Sequence, residues 1–442
     1  MARPVTDSRY RKVPSRRLSR LASFGQLASG VAGGMLAEGA RRLARGDVPR
    51  LSDMLLTPGN ALRVADQLSR LRGAAMKLGQ MISLDAGDML PRELTEILAR
   101  LRDSAHFMPP AQLERVLAAH WGPGWRSRFA AFDARPVAAA SIGQVHRARM
   151  HDGRVLAIKV QYPGIAASID ADVDNVATLL RMSGLLPASL NIAPLLAEAK
   201  RQLHEEADYT REAAMMTRYA DLLADDPAFL VPRPHPELSG PTVLAMDFIE
   251  SRPIETLSTA DPEPRQLAMG AMLGLVLREL FEFGFMQTDP NFANFRWQPH
   301  TGRVVLLDFG AARAIDPATT QAYRRLMHAG LADDAPALRA ALVDIGFVAP
   351  AVVARHGPAL DRMIAVLLAH LGKPGLFDFA DRSFVDQVRS EAETIFADRS
   401  AWHIPPAETL FVQRKVSGTA LLAVRLKASL PLRDMVERAV AP

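Results

Sequence analysis

The stretch QTDPNFANFRWQPHTGRVVLLDFG, residues 287–310, decides the reading of this chain. Asp289 and Asn294 lie five apart, and the β-like run RVVLLDFG then delivers Asp308, Phe309 and Gly310. Either piece alone is an ordinary Asp-Pro-Asn turn, or a strand ending at an Asp-containing turn. Together, in this order and spacing, they are the set that phosphoryl transfer from ATP requires. That reaction needs ligands for Mg²⁺ and a carboxylate to orient the nucleophile. Asp289 is the candidate base or orienting group, and Asn294 and Asp308 are candidate metal ligands through hard oxygens.

Working upstream, GRVLAIKVQYPG (153–164) reads as a strand carrying Lys159. A lone strand lysine usually guards a sheet edge. With the downstream pieces present, a contact to the α/β-phosphates is the better reading. Ahead of this strand stands AAASIGQVHRARM (138–150), where a phosphate-closing loop would normally be rich in glycine. Ala138, Ala139, Ala140 and Ser141 occupy the crowded positions, followed by Gly143 and Gln144. Alanine cannot reach the backbone conformations that glycine can. The loop is therefore expected to be stiffer, to hold nucleotide in a different pose and to suit slow turnover. The alternative is that the alanines start or pack against a helix. A strand lysine of this kind needs a carboxylate, and HEEADYTREAA (204–214) offers Glu205, Glu206, Asp208 and Glu212. On one continuous helix across about 192–224, Asp208 and Glu212 share a face, and Glu206 points about 120° from Glu212. Two separate carboxylate partners follow from that spacing.

The chain has 442 residues, enough for two or three cored domains. It has no cysteine, which excludes disulfides, thiolate metal sites and cysteine nucleophiles. There is no Gly-x-x-x-x-Gly-Lys-Ser/Thr loop and no Gly-x-Gly-x-x-Gly. The first 20 residues carry seven Arg/Lys against one Asp. Such an arm suits anionic lipid or nucleic acid, but a solvated arm is the preferred reading and no nucleic-acid partner is expected. LASFGQLASGVAGGMLA (21–37) fits a buried or membrane-surface helix better than a span, so no conventional transmembrane helix is expected. A helical region then runs to about 120, with Leu68, Leu71, Ala75, Leu78 and Ile82 on one face. It closes with a Pro110-initiated helix ended at Gly122. Another β-like run covers 242–249, and the remainder is mostly helical outside 284–313.

These residues resemble the UbiB/aarF-domain-containing atypical kinases, whose members support ubiquinone biosynthesis, and among them the coenzyme Q kinase-like branch. The likeness runs from about Arg20 to the C-terminus. It is carried by KLGQ (77–80), AAASIGQVH (138–146), EADY (206–209), QTDPNFANF and LLDFGAAR. The resemblance implies an α+β, protein-kinase-like two-lobed fold with a helical N-terminal extension packed over the active-site cleft. The expected divisions are a basic arm (1–20), the extension (21–110), an N-lobe (111–250) and a helical C-lobe (251–442). It pairs Lys159 with Glu212, and it sets Lys77 and Gln80 across the site mouth, with Lys77 meeting Glu206 and Asp208 as a regulatory contact. Asp247 and Ile249 are expected to complete the nucleotide site. ATP and Mg²⁺ are the expected cofactors. The expected partners are a membrane or isoprenoid lipid, quinone-biosynthesis proteins and a second copy of the chain. The expected location is cytoplasmic, peripheral to the membrane. Gln287-Thr288 stand where ordinary kinases have His-Arg, which argues against protein phosphorylation. A small-molecule or lipid kinase, or a nucleotide-gated lipid-binding scaffold, would use the same residues, and the phosphoryl acceptor stays open.

Overall fold

The computed structural model describes residues 107–182, 193–398, 403 and 405–441. The basic arm and residues 21–106 of the expected extension, with Lys77 and Gln80, lie outside them. Two compact units divide the chain: one ends at Ala213 and adds Arg233–Phe248, and the other comprises Ala214–Pro232 and Ile249–Pro442.

The first unit opens with α1 (Pro110–Trp121), which has proline in its first turn and stops at Gly122, where φ is +88°. Leu113, Leu117 and Trp121 recur every four residues and form one buried face. They pack with Trp125, Phe129, Leu156, Ile158, Val160 and Ala245 in a single core. The sheet runs β1 (Phe129–Phe132), β3 (Gly143–Met150), β4 (Val155–Gln161), β6 (Val243–Asp247), all antiparallel, with β2 (Ala138–Ala139) on the other part of β3. Ala138 and Ala139 thus form a strand, Ala140 begins the turn after it, and none of the three starts a helix. Lys159 is held in register between Val145 and Leu244 on an inner strand, so the edge-lysine reading does not apply.

Helices α2 (Ile169–Met182), α3 (Ala193–Glu206) and α4 (Tyr209–Leu222) follow. The sequence pattern of one helix over 192–224 is in fact two helices, α3 and α4, broken at Ala207–Asp208. Asp208 Oδ1 accepts hydrogen bonds from the backbone N–H groups of Thr210 (3.0 Å) and Arg211 (3.3 Å). Aspartate competes in this way with helix continuation and caps the next helix. Glu206, Asp208 and Glu212 therefore do not share one helical wheel, and the expected 120° separation does not apply to them.

The second unit is mostly helical: α5 (Pro262–Phe281), α6 (Pro317–Leu331), α7 (Ala335–Asp344), α8 (Pro350–Leu371), α9 (Ser383–Ala397), α10 (Ala407–Arg425) and α11 (Leu432–Val440). Small sheets punctuate it. One has the order β5 (Phe229–Leu230), β10 (Arg303–Leu306), β9 (Phe295–Gln298), β7 (Arg252–Pro253), and β8 (Phe285–Gln287) pairs with β11 (Ala312–Ala314). A last ribbon joins β12 (Phe377–Asp378) to β13 (Ser429–Leu430). Val276, Leu280, Met286, Ile315 and Val412 form a core that draws on α5, α10, β8 and the segment before α6. No helix among the described residues is long and apolar enough to cross a membrane.

Candidate active site

In the first unit, β4 is buried along almost its whole length, so Lys159 enters the interior with its apolar neighbours. A buried ammonium needs a partner. Its Nζ lies 2.7 Å from Glu212 Oε1 and 2.8 Å from Oε2, and 5.1 Å from the centre of the Tyr209 ring. Glu212 sits in the first turn of α4, where the helix dipole favours a carboxylate, and Asp208 caps that turn. Glu206, the other acidic candidate, accepts a hydrogen bond from Ser141 Oγ, so the alanine loop is tied to the end of α3.

The glycine of that loop has a packing reason. A Cβ on Gly143 would lie 2.5 Å from Val160 O and 2.6 Å from the Tyr209 hydroxyl, so only glycine lets β3 close onto β4 and Tyr209. Ala138 and Ala139 pair with Val145 and Gln144, and Ala140 N–H donates to Gly143 O (2.9 Å). Gln144 turns its side chain inward: Oε1 accepts from Met108 N–H (2.7 Å) and Nε2 lies 2.9 Å from His146 Nε2. His146 Nδ1 is 2.8 Å from the Asp133 carbonyl. Burial lowers the imidazole to about 4, so it is neutral, with Nδ1–H donating to Asp133 and Nε2 accepting from Gln144. Asp247 closes β6, and its carboxylate bonds the Arg233 N–H (2.9 Å) and His235 Nε2 (2.8 Å). Ile249 begins the last segment of the second unit.

In the second unit, β8 leads directly into Thr288 and Asp289. Asn294 Nδ2 donates toward Asp289 Oδ2 at 3.3 Å, and Asp289 Oδ1 accepts from Asn291 N–H at 3.3 Å. Asp308 Oδ1 accepts from Gly310 N–H (3.0 Å), and the Leu307 N–H bonds the Asn294 carbonyl (3.0 Å). The three candidates thus come together on two adjoining loops. Gln287 and Thr288 fasten those loops: Gln287 Nε2 donates to Asp308 O (3.2 Å) and Thr288 Oγ1 to Ala311 O (2.9 Å). Of the three candidates, Asn294 and Asp308 carry a carboxamide and a carboxylate oxygen, hard donors of the kind Mg²⁺ prefers.

Sequence reasoning missed what lies beneath. Glu279 of α5 is fully buried and accepts from the Tyr219 hydroxyl (2.7 Å) and the Gln287 N–H (3.2 Å). Lys415 of α10, also fully buried, lies 3.1 Å from its Oε2 and 3.3 Å from Oε1. Burial pushes the Glu279 carboxyl upward, while Lys415 and Tyr219 pull it back. The Tyr219 hydroxyl is itself pushed well above its ordinary range by burial and by Glu279. The Tyr219 ring packs 4.9 Å from Phe309. No short motif announces contacts between residues so far apart in the chain.

Residues 100–342 match the ABC1 atypical kinase-like domain. The chain is 37% identical over 444 residues to "Atypical kinase COQ8B, mitochondrial" of Danio rerio, covering 98% of this chain and 71% of that protein. It is 37% identical over 423 residues to "Atypical kinase COQ8, mitochondrial" of Saccharomyces cerevisiae, covering 94% and 83%. Among solved structures, that of Rv3197 from Mycobacterium tuberculosis in complex with erythromycin aligns with a TM-score of 0.61 at 26% identity, over 85% of this chain and 95% of that one. The match over more than half of the chain, and relatives above 30% identity along nearly all of it, make this protein a member of the ABC1 (UbiB/aarF) atypical kinase family.

Proposed function

We propose that this atypical kinase binds Mg-ATP, turns it over slowly at a membrane surface and thereby supports isoprenoid-quinone biosynthesis. The observation that carries the reading is the buried Lys159–Glu212 pair, 2.7 Å apart on a central strand and a helix's first turn. A lysine held this way is a fixed cation for the α/β-phosphates. Asp289 orients the attacking oxygen, while Asn294 and Asp308 hold the metal. Bound Mg²⁺ would neutralise charge developing on the phosphates. Ala138–Ser141 and Gly143 contact nucleotide through a loop less pliant than a glycine-rich one, which favours slow turnover. The quinone and membrane assignments come from the family resemblance and from the two COQ8 relatives.

The test has two arms. Purified protein with Mg-ATP and anionic liposomes is assayed for phosphate release, beside Asp289→Asn and Lys159→Met. Loss of a group that handles the proton costs about 10²–10⁴-fold, so Asp289→Asn should fall by at least the lower figure. In parallel, quinones are quantified by mass spectrometry in a deletion strain complemented with each form. A normal quinone pool in the deletion strain would end the pathway assignment. Wild-type turnover in Asp289→Asn would end the catalytic one.

A further inference from the structure

Helix α10 bears on the Asp289 loop from one face, directly at Gly418 and, three residues earlier, through Glu279 at Lys415. At Gly418 the approach is so close that a methyl group would overlap Pro290 Cβ and come within 2.8 Å of its Cγ. Pro290 is the residue directly after Asp289, and its ring cannot swing aside. At Lys415 the buried ammonium reaches Glu279, whose Oε1 also takes the Gln287 N–H two residues before Asp289. Gln287 passes the tether to the Asp308 carbonyl. Beside the tether a cavity of about 10 Å³ is lined by Lys415, Glu279, Gln287, Asn294 and Asp308. The polar tether and the proline contact together bear on where the loops lie.

We propose that α10 positions the Asp289 and Asp308 loops for phosphoryl transfer, with Gly418 as a steric stop against Pro290 and Lys415–Glu279 as the tether to Gln287. The inference rests on the kinase/ATPase reading for what Asp289 does, but not for how the loop is held. Gly418 and Lys415 are positioning residues, since neither needs to touch nucleotide. A displacement of about 1 Å at a reacting group can cost on the order of 10²-fold in rate.

Gly418→Ala is the first test. A mid-helix glycine-to-alanine change ordinarily favours the helix, so α10 itself gains order while the loop is pushed. The turnover number should fall by about 10–100-fold with KM for ATP changed by less than about threefold, the signature of lost transition-state positioning. Hydrogen exchange in the 285–295 backbone should quicken. Pro290→Gly in the same chain removes both the Cβ and the Cγ that the methyl would meet and should recover part of the turnover. Gly274→Ala in α5, where a methyl meets nothing within 4 Å, is the control and should behave as wild type. Because Lys415→Met alone strands a buried carboxylate, the tether is tested with Glu279→Leu plus Lys415→Met, which removes both charges and the acceptor of the Gln287 N–H at similar volume. That double variant should remain folded, lose turnover and exchange faster over 285–295. Wild-type exchange and turnover in Gly418→Ala and in the charge-free double variant would overturn the proposal. Should the wild type release no phosphate, the kinase/ATPase reading fails. Exchange then decides the positioning: faster in the variants supports it, unchanged overturns it.

Discussion

Each compact unit buries a lysine–glutamate pair, and the two pairs are built on opposite electrostatic terms. Glu212 stands in the first turn of α4, at the positive end of the helix, and meets Lys159 at 2.7 and 2.8 Å. Glu279 stands two residues before the end of α5, the negative end, and meets Lys415 at 3.1 and 3.3 Å. The helix dipole supports the first carboxylate and opposes the second. Glu279 therefore draws on further donors, Tyr219 and the Gln287 N–H. A charge held at an unfavourable end of a helix is a structural tether, whereas one held at a favourable end can let its lysine serve a ligand.

The largest effect follows from removing one partner. Breaking a buried ion pair costs about 3–5 kcal/mol, because the remaining charge is left in a poor medium. Lys415→Met should sit at the upper end of that range. Lys159→Met should sit at or below the lower end, because the α4 dipole and the Asp208-capped turn still support Glu212. Thermal unfolding midpoints for both variants decide it. Equal losses would erase the distinction between the pairs, and a larger loss for Lys159→Met would reverse it.

Acidity separates the units next, with opposite signs. His146 of the first unit is lowered from 6.5 to about 4, so at neutral pH folded and unfolded chains both hold it neutral. As pH falls below 6.5 the unfolded chain binds the proton and the folded chain does not, and stability declines until about pH 4. The full window is worth about 3 kcal/mol at roughly 1.36 kcal/mol per unit. Glu279 of the second unit is raised, so its contribution is fully present below its unfolded value and is lost as pH rises through the folded one. Hydrogen exchange from pH 7 to 4.5 should show core protection in the first unit falling. His146→Gln should flatten that decline. An unchanged slope in the variant would remove His146 as its source.

The contrast also explains what the sequence made legible. Lys159, Asp289, Asn294 and Asp308 belong to short strings whose spacing states a chemistry, and the family match agrees with the class of enzyme they imply. The mixed α/β character was equally readable from RVLAIKV, TVLAMDFI and the Pro110 helix. The break at Asp208 was not, because the flanking apolar pattern continues through it and only the backbone bonds of the cap distinguish the two cases. Glu279, Lys415 and Gly418 were unreadable for a different reason. Each looks like an ordinary helix residue until the chain folds, since its partner lies far away in sequence. Gln287 and Thr288 were noticed only as a departure from His-Arg, yet they are the pins between the Asp289 and Asp308 loops.

A smaller effect tests the second unit's contribution while leaving the Lys159–Glu212 pair untouched. A ligand that binds only the folded state stabilises it by about 2.7 kcal/mol at one hundred times its dissociation constant. Mg-ATP should raise the wild-type midpoint accordingly, and Asp308→Asn should lose the magnesium-dependent part by removing an anionic oxygen. An identical Mg-ATP-induced rise in both proteins would take Asp308 out of the metal site.

The smallest expected change returns to the alanine loop of the first unit. Ala138 and Ala139 lie in β2, paired with β3, and Ala140 begins the turn that closes on Gly143 O. The Ser141 hydroxyl in that turn is bonded to Glu206. Ala140→Gly removes one methyl and opens left-handed backbone conformations at the hinge between strand and turn, at a cost of about 0.5–1 kcal/mol. Ala130→Gly, in β1 of the same sheet and exposed to solvent, has a similar backbone cost and no part in the loop. If the alanines tune the nucleotide pose, Ala140→Gly should tighten ATP binding and shift the ATP-to-ADP preference, while Ala130→Gly changes only the melting point. Calorimetric titration of both nucleotides into the three proteins measures this. Equal affinities across all three would mean that the alanines serve the β2–β3 pairing alone, and the first unit's specificity would then rest on Lys159.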